Sequence, residues 1–145
     1  MDAQQYMDEI VDPTITEFET NPASRRHAFL ACAVTFHTID YLVHPKSSGN
    51  CRKSFREESA DFALVDRVAH AFKHVQSMSP NQTPLKAENV LRRPPAVCGE
   101  MVAGLSRCGD ASGGVTLSGN LDLDLLPVVK SAAEFLRGKI GKMGK

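Results

Sequence analysis

The sequence predicts a mainly α-helical bundle of about four main helices, with a small β-hairpin and a final helix at its C-terminal end. Three observations predict this fold class. Apolar residues recur at helical spacing through residues 3–77, Pro and Asn interrupt that stretch between helix-length segments, and alternating apolar residues appear only beyond residue 112. A chain of 145 residues suits one hydrophobic core. We therefore expect a single domain over 1–145, with a helical part at 1–77, a connection at 78–95 and the hairpin plus C-terminal helix at 96–145.

Composition limits the classes of function. Seventeen basic residues balance seventeen acidic ones, so the chain has no net field that would hold it on nucleic acid or on an anionic membrane. Any binding to nucleic acid or to a membrane must therefore depend on a local group of basic residues. The acidic start MDAQQYMDEIVD resembles neither a secretory signal nor a transit peptide. The longest apolar stretch, residues 28–43, is shorter than the roughly 20 residues of a spanning helix. We expect a cytoplasmic protein that does not enter the membrane.

The first half of the chain divides into helices at recognisable caps. Residues 3–20 suit one interrupted helix or two short ones, with the break at Asp12 and Pro13, because Asp can cap a helix and Pro is tolerated in a first turn. Ser24 is the expected N-cap of a second helix that runs to about His44 and stops at Pro45. A third helix is expected to open at Asn50 or Ser54.

The second half begins with a strong helix at about 59–77. Residues 78–95 are rich in Pro, Asn, Ser and Thr and predict a surface connection, with at most one helical turn near 85–91. The segments GGVTL and LDLDL flank the turn residues SGN, which predicts a hairpin. Asp124 is the expected cap of the last helix, with Pro127 in its first turn.

A helical wheel over residues 61–75 separates an apolar face from a polar one. The apolar face comprises Leu64, Val65, Val68, Ala71, Phe72 and Val75, and the polar face comprises Asp66, Arg67, His70, Lys73 and His74. We expect the core to take Val68, Ala71, Phe72 and Val75 and to exclude Asp66, His70 and Lys73. A polar face of this kind is usually solvated, but two histidines one turn apart also suit a site.

The preceding helix has apolar residues around most of its circumference over 28–43, which predicts burial on most sides. His37, Asp40 and His44 nevertheless share one stripe. Buried polar groups need partners or a cleft that water or a ligand enters. The stripe is therefore either a satisfied structural pair, such as Asp40 accepting from a Tyr or His, or part of a functional cleft.

The segment DRVAHAFKH resembles the HEPN superfamily, whose helical bundles include metal-independent endoribonucleases and nucleotide-binding relatives. The family motif is an Arg, four to six residues and a His, which Arg67 and His74 match; the resemblance covers about residues 24–77. It implies that His74 transfers protons in RNA cleavage and that Arg67 stabilises the negative charge that develops on the phosphorane oxygens. The resemblance makes His70, Asp40 and His37 supporting residues of this site. It further implies a homodimer with a composite site, RNA as partner and no cofactor or metal. An inactive RNA-associated relative is also consistent with it.

Two other readings use the same residues. His70 and His74, at i and i+4, could hold a metal ion together with His37, Asp40 or His44, as in a metal-dependent hydrolase. No H-E-x-x-H motif occurs and the four cysteines lack a C-x-x-C pair, so we predict no stoichiometric metal and four reduced thiols. The third reading is a non-catalytic homodimeric interaction module. Basic residues that could contact phosphate locally are Arg25, Arg26, Arg52, Lys53 and Arg56.

Overall fold

Helices occupy most of the chain in the structure, a computed structural model that describes residues 1–77 and 83–143. The expected fold class is confirmed: the molecule is mainly helical, with a two-stranded antiparallel sheet and a long final helix. The elements in chain order are α1 (Ala3–Tyr6), a π-helical turn (Met7–Val11), α2 (Asp12–Thr20), α3 (Arg25–Val43), α4 (Gly49–Glu58), α5 (Ala60–His74), a 3₁₀ turn (Ala87–Asn89), β1 (Val90–Arg93), β2 (Gly114–Leu117) and α6 (Leu125–Met143).

The interruption predicted near Asp12 is a π-helical turn that immediately precedes it. Backbone angles stay helical from Tyr6 to Asp12, so α1, the π turn and α2 run on without a break in direction. Pro13 lies in the first turn of α2, where its missing N–H costs nothing. The wider turn changes the helical register. It places Val11 fully inside the core and leaves Ile10 37% exposed.

The predicted cap at Ser24 is present, and Ser59, at the expected start of the next long helix, is a second serine cap. The Ser24 hydroxyl accepts the His27 N–H at 3.3 Å at the start of α3, and the Ser59 hydroxyl accepts the Phe62 N–H at 3.1 Å at the start of α5. Helix α3 ends at Val43, before Pro45, as expected. Helix α5 ends at His74 rather than at 77, because Val75 takes a left-handed φ of 68° that cannot continue the helix.

The small sheet forms, but its pairing differs from the predicted hairpin. GGVTL supplies β2, whose partner is β1 from within the predicted connection, with Val90 opposite Leu117 and Arg93 opposite Gly114. LDLDL is not a strand. The chain turns at once after β2, where the Thr116 hydroxyl donates to the Asn120 carbonyl, and α6 already begins at Leu125. The Leu123 N–H donates back to the Asn120 carbonyl at 3.2 Å, so the backbone of this segment is turned and not extended.

One cluster of buried apolar side chains joins α1 through α6 and both strands. Helix α3 packs against α5, and α6 packs against both. The largest side chains in this core are fully enclosed, and each contributes about 1.5–3 kcal/mol of transfer free energy. They are Phe18, Phe62, Met7, Ile39, Leu125 and Leu136. The packing of α3 on α5 brings the histidine-bearing parts of the two helices together.

The burial expected along α5 is correct for Val68 and Ala71, which are fully buried, and wrong for three other residues. Phe72 is 51% exposed and Val75 73% exposed, because both lie at the end of α5, where it emerges from the core. Asp66 is fully buried, since α4 covers the side of α5 on which it lies. A helical wheel gives the direction in which each side chain points, but it does not show which other elements cover that side of the helix.

Candidate functional site

Arg67 and His74, the pair that matches the HEPN motif, lie in different surroundings. Arg67 is partly buried, and its guanidinium donates to the Thr83 carbonyl at 2.9 Å. Its Nε is enclosed and has no hydrogen-bond partner among residues 1–77 and 83–143. His74 is exposed at the last position of α5, with its ring centroid 6.0 Å from that of His70. Arg67 therefore anchors the chain that follows α5, while His74 remains accessible.

Asp66 holds a charge in the interior that the sequence did not predict there. Its Oδ2 accepts from Arg52 Nε at 3.0 Å and lies 3.4 Å from Arg56 Nε. Its Oδ1 lies 2.9 Å from both Arg52 and His70 Nδ1, although neither contact is aligned as a hydrogen bond. A buried carboxylate needs such compensation. Arg52 and Arg56, expected to contact phosphate, instead neutralise Asp66.

The signal for this cluster was present in the sequence. Arg52 and Arg56 stand one helical turn apart on a short helix that directly precedes α5. Two helices joined by a single residue must pack side by side or cross, so paired arginines on the first favour an acidic partner on the second. The helical wheel of α5 predicts an exposed Asp66, because it takes no account of α4.

His70 is held in one orientation. Its Nδ1 donates to the backbone carbonyl of Asp66 at 2.9 Å, and the buried carboxylate lies at the same distance from that nitrogen. Its ring meets the Phe36 ring edge-on at 4.9 Å. Nδ1 therefore carries the proton of the neutral imidazole. Nε2 makes no hydrogen bond to any residue that the structure describes, and it is free to accept a proton.

A groove of about 250 Å³ lies between α3 and α5, and two histidines are among the residues that line it. The ring of His37 lies 5.2 Å from that of Phe36, which also contacts His70. His37 Nδ1 lies 3.0 Å from Asp40 Oδ2, so each imidazole has its own carboxylate. We call this feature the α3–α5 groove. It is lined by Ala33, Phe36, His37, Ala69, His70, Phe72 and Lys73.

Phe72 and Lys73 form one end of the groove. The Phe72 ring stacks on Phe29 with centroids 4.4 Å apart and an angle of 22° between the planes. Phe29 is buried and Phe72 is half exposed, so the outer side of Phe72 faces solvent. An exposed aromatic face beside an exposed lysine suits a planar, negatively charged molecule such as a nucleotide.

A second, larger cavity of about 820 Å³ lies on the other side of His37. The predicted stripe of His37, Asp40 and His44 lines it, and the expected pairing of Asp40 with a histidine is confirmed. The expected burial of the stripe is wrong, because the side chains of His37 and Asp40 are about half exposed. The remaining lining residues are Met1, Asp2, Tyr6 and Tyr41.

Within residues 1–77 and 83–143, no three His, Cys, Asp or Glu side chains gather closely enough to hold a metal ion. His70 and His74 are neighbours, but in that part of the chain no carboxylate or third imidazole joins them in a ligand set. All four cysteines are free. Burial raises the pKa of the Cys32 thiol to about 12, which keeps it protonated and unreactive.

A polar cluster that the sequence did not predict lies beside the sheet. Arg93 is 3% exposed and contacts Asp110 at 2.9 Å and Asp124 at 2.5 Å. Arg107 also reaches Asp124, at 3.1 Å. The expected helix cap Asp124 is therefore engaged by two arginines. These charges compensate one another and fasten the loop before β2 to the start of α6, which is a structural role.

Protein-family models, curated protein sequences and solved structures were all compared with this chain, and none matched it. No helix in the described part of the chain is both long and apolar enough to cross a membrane. The assignment of function rests on the chemistry of the α3–α5 groove.

Proposed function

We propose that this chain is a HEPN-like helical domain that cleaves RNA without a metal ion, as a cytoplasmic homodimer. The observation that carries the proposal is that two carboxylate-paired imidazoles, His37 and His70, both line one groove. Imidazoles exchange protons near neutral pH, so a pair of them can serve as base and acid in one reaction. The four free cysteines agree with a reducing compartment.

The proposal gives each imidazole one proton transfer. His70 Nε2 takes the proton of an RNA 2′-hydroxyl, and the resulting 2′-oxygen attacks the adjacent phosphorus. His37, protonated beside Asp40, gives its proton to the departing 5′-oxygen. The products are a 2′,3′-cyclic phosphate and a 5′-hydroxyl. The carboxylates of Asp66 and Asp40 lie against Nδ1 of the two rings and orient them.

In this proposal the C-terminal end of α5 binds the RNA. The exposed face of Phe72 stacks on a base, and Lys73 contacts a phosphate beside it. His74, at the same end, is accessible to the strand. The contact from Arg67 to the Thr83 carbonyl supports a positioning role for Arg67, in place of the electrostatic role that the family resemblance implies.

Cleavage of a labelled single-stranded RNA in EDTA tests the proposal. We expect His70→Ala and His37→Ala each to lower the cleavage rate about 100-fold or more, which is typical for the loss of a general acid or base. His27→Gln is the matched control, because His27 lies in the first turn of α3 and does not line the groove. Equal rates in all four proteins would contradict the assignment, and circular dichroism checks that each variant folds.

The second candidate function is a homodimeric interaction module without activity. The observation that favours it is the exposed apolar end of α5, formed by Phe72 and Val75. Light scattering of the wild type and of Phe72→Ser, combined with the RNA cleavage assay, separates the two functions. A dimer that Phe72→Ser dissociates, together with no RNA cleavage by the wild type, would support the module; a monomer would exclude it.

A further inference from the structure

The 820 Å³ cavity differs in composition from the α3–α5 groove. No Lys or Arg side chain is among its lining residues, which comprise two carboxylates, two tyrosines, two histidines and Met1. Asp40 uses Oδ2 to contact His37, and Asp2 uses Oδ1 to cap the Gln5 N–H. Each carboxylate keeps a second oxygen for another contact. These two free carboxylate oxygens can accept hydrogen bonds from a bound ammonium group.

The two tyrosines form a stacked pair in this wall. Their ring centroids are 4.0 Å apart and their planes differ by 16°. Tyr6 is 7% exposed and donates its hydroxyl to the Val34 carbonyl at 3.1 Å, so its position is fixed. Tyr41 lies over Tyr6 and is 39% exposed, which leaves its outer face open. An open aromatic face beside carboxylates is the arrangement that recognises alkylammonium groups.

The Tyr6 side chain adds no negative charge to the wall of the cavity. Burial, with Tyr41 and Asp40 nearby, raises the pKa of Tyr6 to about 12, so the phenol stays neutral. The negative charge of the wall therefore resides in Asp40 and Asp2. The cavity volume lies within the range of small-molecule sites, roughly 300–1,000 Å³.

We infer that this cavity binds a small organic cation with an alkylammonium head, which lies on the outer face of Tyr41 and pairs with Asp40. This site goes beyond the proposed ribonuclease function, and it shares only His37 with the α3–α5 groove. Its failure and that of the ribonuclease assignment are distinguishable, because binding here is measured without RNA.

The sequence supplies a specific reporter for this binding. The chain has no Trp and only two Tyr, and both tyrosines line the cavity, so the intrinsic fluorescence of the protein arises there. Choline is the probe, compared with its neutral carbon analogue in which a quaternary carbon replaces the nitrogen. We expect choline to change the tyrosine fluorescence and to bind about five-fold or more tightly than the analogue. Equal affinities, or no binding of choline, would overturn the inference.

Variants locate the binding within the cavity. Asp40→Asn removes the charge with little change in shape, and Tyr41→Leu removes the aromatic face while Tyr6 still reports. Each should weaken choline binding about five-fold. Glu57→Gln removes an equal charge from an exposed position on α4 and should leave the affinity unchanged. Wild-type affinity in both cavity variants would contradict the site.

Discussion

At Asp66 a full negative charge lies in the interior, enclosed by α4 and by its own helix. Two arginines and a histidine surround it, so the cost of removing the carboxylate from water is offset by attraction in a less polar medium. The same carboxylate stands beside His70. One residue therefore links the packing of α4 on α5 to the orientation of the proposed base.

We predict that Asp66→Asn lowers the free energy of unfolding by about 2–4 kcal/mol, since it removes the buried negative charge that Arg52 and Arg56 contact. Denaturant unfolding followed by circular dichroism measures the change. Asp122→Asn is the matched control, because the Asp122 side chain is fully exposed; it should shift stability by about 0.5 kcal/mol or less. Similar losses in both variants would contradict the buried cluster.

Tyr6 gives a pH-dependent prediction. Its pKa is raised from about 10 to about 12, so between these values the folded chain keeps a proton that the unfolded chain loses. The contribution of Tyr6 to stability is therefore complete below pH 10 and is lost as the pH rises toward 12. The stability difference between the wild type and Tyr6→Phe should shrink over that interval. A difference that stays constant from pH 9 to about 12 would show that the phenol titrates normally.

The starts of helices were predictable from the sequence where a local side chain determines them. Ser24 and Ser59 cap their helices because a side-chain hydroxyl satisfies a free backbone N–H, and sequence shows such residues directly. The partner of β2 was not predictable in this way. GVTL pairs with VLRR, which is more than twenty residues earlier, and nothing local distinguishes that partner from the adjacent LDLDL.

The sheet gives a prediction that depends on close backbone contact. Gly113 has a φ of +69°, and a Cβ there would lie 2.5 Å from the Arg93 carbonyl oxygen. Gly113→Ala should destabilise the protein by about 2–3 kcal/mol, through strain and this clash. Gly109 has a φ of +78° with open space around its Cβ position, so Gly109→Ala should cost only about 1 kcal/mol. Equal losses in denaturant unfolding would show that the contact with Arg93 is not tight.

For the whole molecule, the packing of α3 on α5 creates the candidate site. His37 and His70 are far apart in the sequence, and each was predicted as a supporting residue on its own helix. Both contact Phe36, and the contact of His70 with Phe36 depends on how the two helices cross, which helical periodicity does not give. The candidate residues were therefore predictable from the sequence, but their grouping and the engagement of Arg67 with Thr83 were not.

The proposed ribonuclease function requires that His70 removes a proton from RNA in the α3–α5 groove. Single-turnover cleavage of an RNA with one scissile phosphodiester, in EDTA, tests it most directly when the end groups are identified by mass. We expect the wild type to leave a 2′,3′-cyclic phosphate and a 5′-hydroxyl, and His70→Ala to leave the RNA intact on the same time scale. Cleavage that requires a divalent metal, or that proceeds at an equal rate in folded His70→Ala, would contradict the claim.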